Sequence, residues 1–231
     1  ASGAVTLANA AGSLSLAGTV VSNSLDASAS GAITDGSDGD LTIAGLAEFT
    51  AGSIELGNDA GNATNFGTLT FNSAGSVTIS EDSSLDLVGT NTAGSADLVS
   101  TAGVSDAGAA SVDVSGLLDV SGTSIALGSG TSVFNAGTLT VNSVGSVTVS
   151  EDSSLDLVGV NTADSADLVS TAGVSDAGAV SVDVTGLLDV SGTSIVLGSG
   201  TLNAGTLTFN SAGSVTISED SSLDLVGVNT A

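Results

Sequence analysis

No lysine, arginine or histidine occurs anywhere in this chain of 231 residues, nor any cysteine, proline, methionine, tryptophan or tyrosine. Each absence excludes something. Without His or Cys there is no nitrogen or sulfur ligand for zinc, haem or an iron–sulfur cluster. Ser–His–Asp and Cys–His catalysis are impossible for the same reason. Without Lys or Arg there is no basic side chain to bind a phosphate, and a formal charge of −25 repels nucleic acid and anionic lipid. No apolar run approaches the ~18–20 residues needed to cross a bilayer, so no membrane insertion is expected. No basic segment followed by an apolar one is present, so no signal peptide is expected within these residues. Disulfides are ruled out, trypsin finds no site, and the most readily oxidised side chains are missing. Such a composition suits an extracellular or cell-surface location.

What remains is 41% apolar, chiefly Ala, Val, Leu and Ile with five Phe, together with 25 Asp and Glu and 32 Gly. A disordered acidic segment would lack that apolar content. The small aliphatic side chains suit a narrow interior better than a thick globular core.

Internal repetition dominates the chain. Residues 81–131 and 151–201 agree at 46 of 51 positions, differing at 90, 94, 110, 115 and 126. The nonapeptide EDSSLDLVG occurs at 81–89, 151–159 and 219–227, at offsets of 70 and 68 residues. An older copy lies upstream, where GLAEFTAGSIELG at 45–57 aligns with GLLDVSGTSIALG at 116–128. The organisation expected is one continuous unit over 1–231, with divergent repeats in 1–68, near-identical repeats at 69–138 and 139–206, and a partial repeat at 207–231. Ending mid-repeat without a polar cap, the chain is expected to belong to a longer chain or assembly.

Within each copy the apolar residues alternate: Leu69 and Phe71, Val77 and Ile79, Leu85 and Leu87, Val112 and Val114, Leu118 and Val120, Ile125 and Leu127. Period two over four or five residues, punctuated by Gly, Ser, Asn and Asp, predicts short strands with one buried face, hence an all-β fold. A 70-residue unit holds seven or eight such strands, too many for one turn of a solenoid. About three coils of roughly 23 residues fit it, each with two or three strands. Tandem β-sandwiches fit less well, since a sandwich needs about 100 residues and usually an aromatic core.

GDLTIAGLAEFTAGSIELG and GTLTFNSAGSVTISEDSSLDLVG resemble repeats of filamentous-haemagglutinin-type proteins and of giant bacterial β-strand-repeat surface proteins. The resemblance spans nearly the whole chain and implies a right-handed parallel β-helix (β-solenoid), secreted or surface-held, acting as an adhesin or fibre.

In such a solenoid strands of successive coils lie ~4.8 Å apart. Phe71, Val141 and Phe209 are then expected in interior columns about three coils apart, and Asn72, Asn142, Asn210, Asn91, Asn161 and Asn229 at corners, where Asn bonds its own backbone. In EDSSLDLVG, Leu85 and Leu87 should face the core, Asp86 water, and Glu81 and Asp82 the preceding corner. About ten coils give a rod ~50 Å long carrying about one charge per 2 Å, comparable with DNA's one per ~1.7 Å, so cations must gather round it. Divalent cations are therefore expected partners, as are other copies of the chain, end to end or side by side.

The densest acidic cluster, TDGSDGD at 34–40, offers Asp35, Asp38 and Asp40 as a candidate Ca²⁺ site on Asp-Gly turns. No other cofactor is required. A Ca²⁺-dependent module recognising a surface or glycan is the alternative to a structural role. Enzymatic hydrolysis is not expected, because Glu81, Glu151 and Glu219 fall ~14 Å apart, beyond the ~5–9.5 Å of a glycosidase carboxylate pair. The Thr-x-Thr pairs at 68–70, 138–140 and 206–208 raise ice binding as a third possibility, although they recur only every third coil.

Overall fold

The structure, a computed structural model, describes residues 3–106 and 108–231. Among these the chain forms 25 strands in one continuous sheet whose pairings are all parallel, with a single 3-10 turn at Gly36–Asp38. In-register partners are 18 to 23 residues apart: Leu69 with Leu87, Ala4 with Ser24, Leu25 with Ala47, Leu41 with Thr64. Each strand therefore rests on the strand one turn earlier. The result is a β-solenoid of about ten turns, as the alternation predicts.

Three strands make one turn and give the rod three faces. The first face starts with Ala4–Asn9 and Ser24–Ala29, the second with Leu14–Ser15 and Ala32–Thr34, the third with Thr19–Ser22 and residues 40–43. Several strands run unbroken over two faces. In Ser111–Gly122 the register slips between Val114 and Leu117, which turns the chain from one face to the next. Such corners are tight. A Cβ on Gly137 would lie 2.3 Å from the carbonyl oxygen of Ser115 below, so only glycine lets the coils close to β spacing there.

The interior is a continuous aliphatic column. Leu69, Phe71, Ile79, Leu85, Leu87, Leu98, Val120, Leu127 and Leu139 are fully enclosed, each inward residue resting on another one turn away. One such stack is Ile79, Leu98, Val120 and Val141. Strands are short because the column is only one side chain deep from each face. Stability comes from stacking turns along the axis, not from thickness.

Strand pairing sharpens the repeat geometry expected above. From Thr68 to Ala136 the chain makes ten strand segments: 68–73, Ser76–Glu81, Leu85–Leu87, Thr90–Ala93, Ser95–Ser100, Gly103–Asp106, 111–114, 117–122, Ser124–Leu127 and 133–136. Ten strands at three per turn make the expected three or so coils three and one third turns. Each super-repeat thus begins one face further round than the last. Phe71, Val141 and Phe209 are not one column but lie on the first, second and third faces, Val141 resting on Val120 and Phe209 on Val190.

Candidate functional site

The most regular chemistry of this chain is the placement of its carboxylates. After Ser76–Glu81 the chain turns through 82–84 without a strand. The turn beneath would then have unpaired amides at Thr64 and Phe66, and buried N–H groups without partners are costly. Side chains take the place of the missing strand. Thr64 N–H donates to Asp82 Oδ2 at 2.9 Å, and Phe66 N–H to Glu81 Oε1 at 2.6 Å. The Asp82 amide returns a bond to the Thr64 carbonyl at 2.8 Å. The next copy repeats this, with Asp152 accepting from Phe134 N–H (2.9 Å) and Glu151 from Ala136 N–H (3.2 Å). So does the third, with Asp220 accepting from Leu202 N–H and Glu219 from Ala204 N–H, both at 2.9 Å.

Two further side chains do the same work. Asn91, fully buried, accepts from Phe71 N–H and donates to the Val88 carbonyl, both at 3.0 Å; Asn161 and Asn229 repeat both bonds. Asp106 Oδ2 accepts from Gly128 N–H at 2.6 Å and Asp176 Oδ2 from Gly198 N–H at 2.8 Å. Of the asparagines expected at corners, Asn91 and Asn161 lie within strands. So do Asn72, Asn142 and Asn210, which accept from the hydroxyls of Thr92, Thr162 and Thr230 one turn on.

Glu81 and Glu151 stand at the strand-end corner expected of Glu81, but they point into the rod. They are 1% and 0% exposed, and burial pushes both carboxyls up to about 7 from an ordinary 4.5. Ser83 and Ser153 donate to them at 2.9 Å, while Glu81 Oε2 is buried without a partner. The signal was in the alternation: Val77, Ile79 and Glu81 continue one inward phase, as Ile33 and Asp35, or Val104 and Asp106, do. Leu85 and Leu87 are buried and Asp86 lies between them, accepting from the Ser105 hydroxyl.

The candidate Ca²⁺ residues are built into the same scheme. Asp35, 1% exposed, accepts from Gly57 N–H at 2.7 Å and from the Asn62 amide at 3.2 Å, and burial raises its pKa. It is the counterpart of Asp106 and Asp176. Asp40 Oδ1 accepts from Ala63 N–H at 3.0 Å, and Asp38 closes the 3-10 turn. Asp35 and Asp40 thus face different backbone amides. Among the described residues no group of three or more acidic side chains is gathered so as to hold a metal ion.

Outside, some carboxylates are stacked in register: Asp26 on Glu48, Asp97 on Asp119, Asp167 on Asp189. Pairs one β spacing apart and with no cation in the sequence repel each other. Burial, and then the neighbouring Asp97, raise the pKa of Asp119; burial and Asp189 do the same for Asp167. The surface otherwise carries shallow grooves, such as one of about 310 Å³ beside Val144 and Asp164. The Thr-x-Thr pairs fall on three different faces and build no common array. Equivalent glutamates are ~16 Å apart along the axis and on different sides of the rod, so no two converge on a substrate.

Residues 2–70 match the family described as repeats of unknown function, DUF5649. That segment covers the divergent first repeats. No match was found among curated proteins or solved structures. The chain is thus a repeat protein of the β-solenoid class, similar in its first third to that family.

Proposed function

We propose that this chain is a stretch of an extracellular, filamentous-haemagglutinin-like fibre or adhesin, and that its work is mechanical: span, stiffness and resistance to proteolysis. One observation carries the reading. The carboxylates that could have formed a site are instead spent as acceptors for backbone amides of adjacent turns, copy after copy. A chain that commits Glu81, Asp82, Asn91 and Asp106 to closing its own ladder invests its polar chemistry in rigidity along the axis. The absence of Lys, Arg, Trp and Tyr removes the preferred sites of several proteases and suits an exposed life.

Divalent cations are the partners this reading requires. The exterior pairs Asp26/Glu48, Asp97/Asp119 and Asp167/Asp189 favour a diffuse cation atmosphere over one specific Ca²⁺ site. The test combines shape and binding. Small-angle scattering should give a monodisperse rod of ~50 Å per chain. Calorimetric titration with CaCl₂ should give weak, unsaturable heats. A saturable isotherm followed by Ca²⁺-dependent glycan binding would replace the structural role with the recognition module. Antibody labelling of intact cells of the source organism decides the location.

A further inference from the structure

Near-identical sequences occupy different faces of this rod. Ser95–Ser100 lies on the second face and its counterpart Ser165–Ser170 on the third, yet both show the same alternation of buried and exposed positions. Ser111–Gly122 and Ser181–Gly192 likewise match position for position. The faces are therefore interchangeable as environments. What a strand requires is its chain neighbours one turn below and above.

Those neighbours are bound at constant sequence separations. The Asp cap (82 to 64, 152 to 134, 220 to 202) spans 18 residues, the Glu cap (81 to 66, 151 to 136, 219 to 204) spans 15, and the Asn cap (91 to 71, 161 to 141, 229 to 209) spans 20. The Gly-directed cap (35 to 57, 106 to 128, 176 to 198) spans 22. Removing or adding one whole super-repeat leaves every surviving cap with a partner of the same kind. Removing a single turn, which keeps each strand on its face, does not.

We propose that the ten-strand super-repeat is the unit in which this rod changes length, each unit gained or lost moving everything beyond it by ~16 Å along the axis and by one third of a turn about it. Marks borne once per super-repeat return to the same face only after three units, so a partner that reads one face meets every third copy. This modularity follows from strand pairing alone and holds whether or not the rod is a spacer.

The test compares two deletions in the full chain. Removing residues 69–138 joins Thr68 to Leu139 and lets Asp152 and Glu151 cap Thr64 and Phe66. Removing residues 97–118 takes out one turn, deletes Asp106 and strands the Gly128 amide. The larger deletion should melt in one transition within about 5 °C of the full chain, and above the smaller one. Its scattering length should shorten by ~16 Å. Rotation is read by a disulfide: with Thr50→Cys and Asn142→Cys the larger deletion stacks residue 142 directly on residue 50, as Asn72 is now, and the pair should oxidise. In the full-length double variant the two stand on different faces four turns apart, and should stay reduced. Failure of the disulfide in a folded deletion variant overturns the rotation. A larger deletion that unfolds, or melts at or below the smaller one, overturns the modularity.

Discussion

Raising the pH should weaken this fold between pH 4.5 and 7, with Glu81 and Glu151 as the cause. Both carboxyls sit inside the rod and titrate near 7 when folded, against 4.5 when exposed in the unfolded chain. The folded state consequently binds more protons than the unfolded state across that window, so stability falls as pH rises through it. The contribution is fully present below 4.5 and gone above 7. A displacement from 4.5 to about 7 is worth about 3 kcal/mol for each glutamate, large against a typical total of ~5–15 kcal/mol. Urea unfolding followed by far-ultraviolet circular dichroism provides the assay. The urea midpoint should be higher at pH 5 than at pH 8. Mutual repulsion of the 25 carboxylates has the same sign, so the measurement is repeated in 0.5 M NaCl, which screens exposed charges and not these buried ones. The double variant Glu81→Gln, Glu151→Gln keeps the acceptor oxygens for Phe66 and Ala136 N–H without the charge. Its high-salt midpoint should fall clearly less from pH 5 to pH 8 than the native one, the remainder coming from the other burial-raised carboxyls such as Asp35 and Asp106. A native midpoint that rises with pH, or a native slope in high salt that the double variant retains in full, would refute the reasoning.

Three other outcomes follow from the same contacts. Asp152→Ala leaves the Phe134 amide without its acceptor and should cost about 1–3 kcal/mol, with faster hydrogen exchange at Phe134 than at Val141. Gly128→Ala forces a side chain into a backbone at φ +73°, with its Cβ 1.9 Å from the Ser150 carbonyl oxygen, and should lower the melting temperature more than Gly108→Ala, where nothing lies within 4 Å. Melting temperature should rise with NaCl and more steeply with CaCl₂, because exterior pairs such as Asp97/Asp119 have no basic partner; a flat response to both salts would remove the polyelectrolyte picture.

Much of the architecture is legible from residue types alone. Alternation at Leu69–Phe71 or Leu85–Leu87 specifies a strand with one inward face, since successive side chains point to opposite sides of a pleated backbone. The missing His, Cys, Lys and Arg exclude whole classes of chemistry because no other side chain supplies those donors or charges. The 70-residue period is visible as repetition. How that period wraps is not: turns vary from 18 to 23 residues, and only pairing such as Leu69 with Leu87 and Leu188 with Leu207 counts the strands in a turn. Three strands per turn against ten per repeat is a relation between distant segments, and it alone sends Phe71, Val141 and Phe209 to three different faces. The same holds for EDSSLDLVG. Composition says that it is acidic, and acidity by itself suggests an exterior. Its phase with Val77 and Ile79 already turns the glutamate inward; what it meets there, the unpaired Phe66 amide of the turn below, exists only once the two turns are stacked.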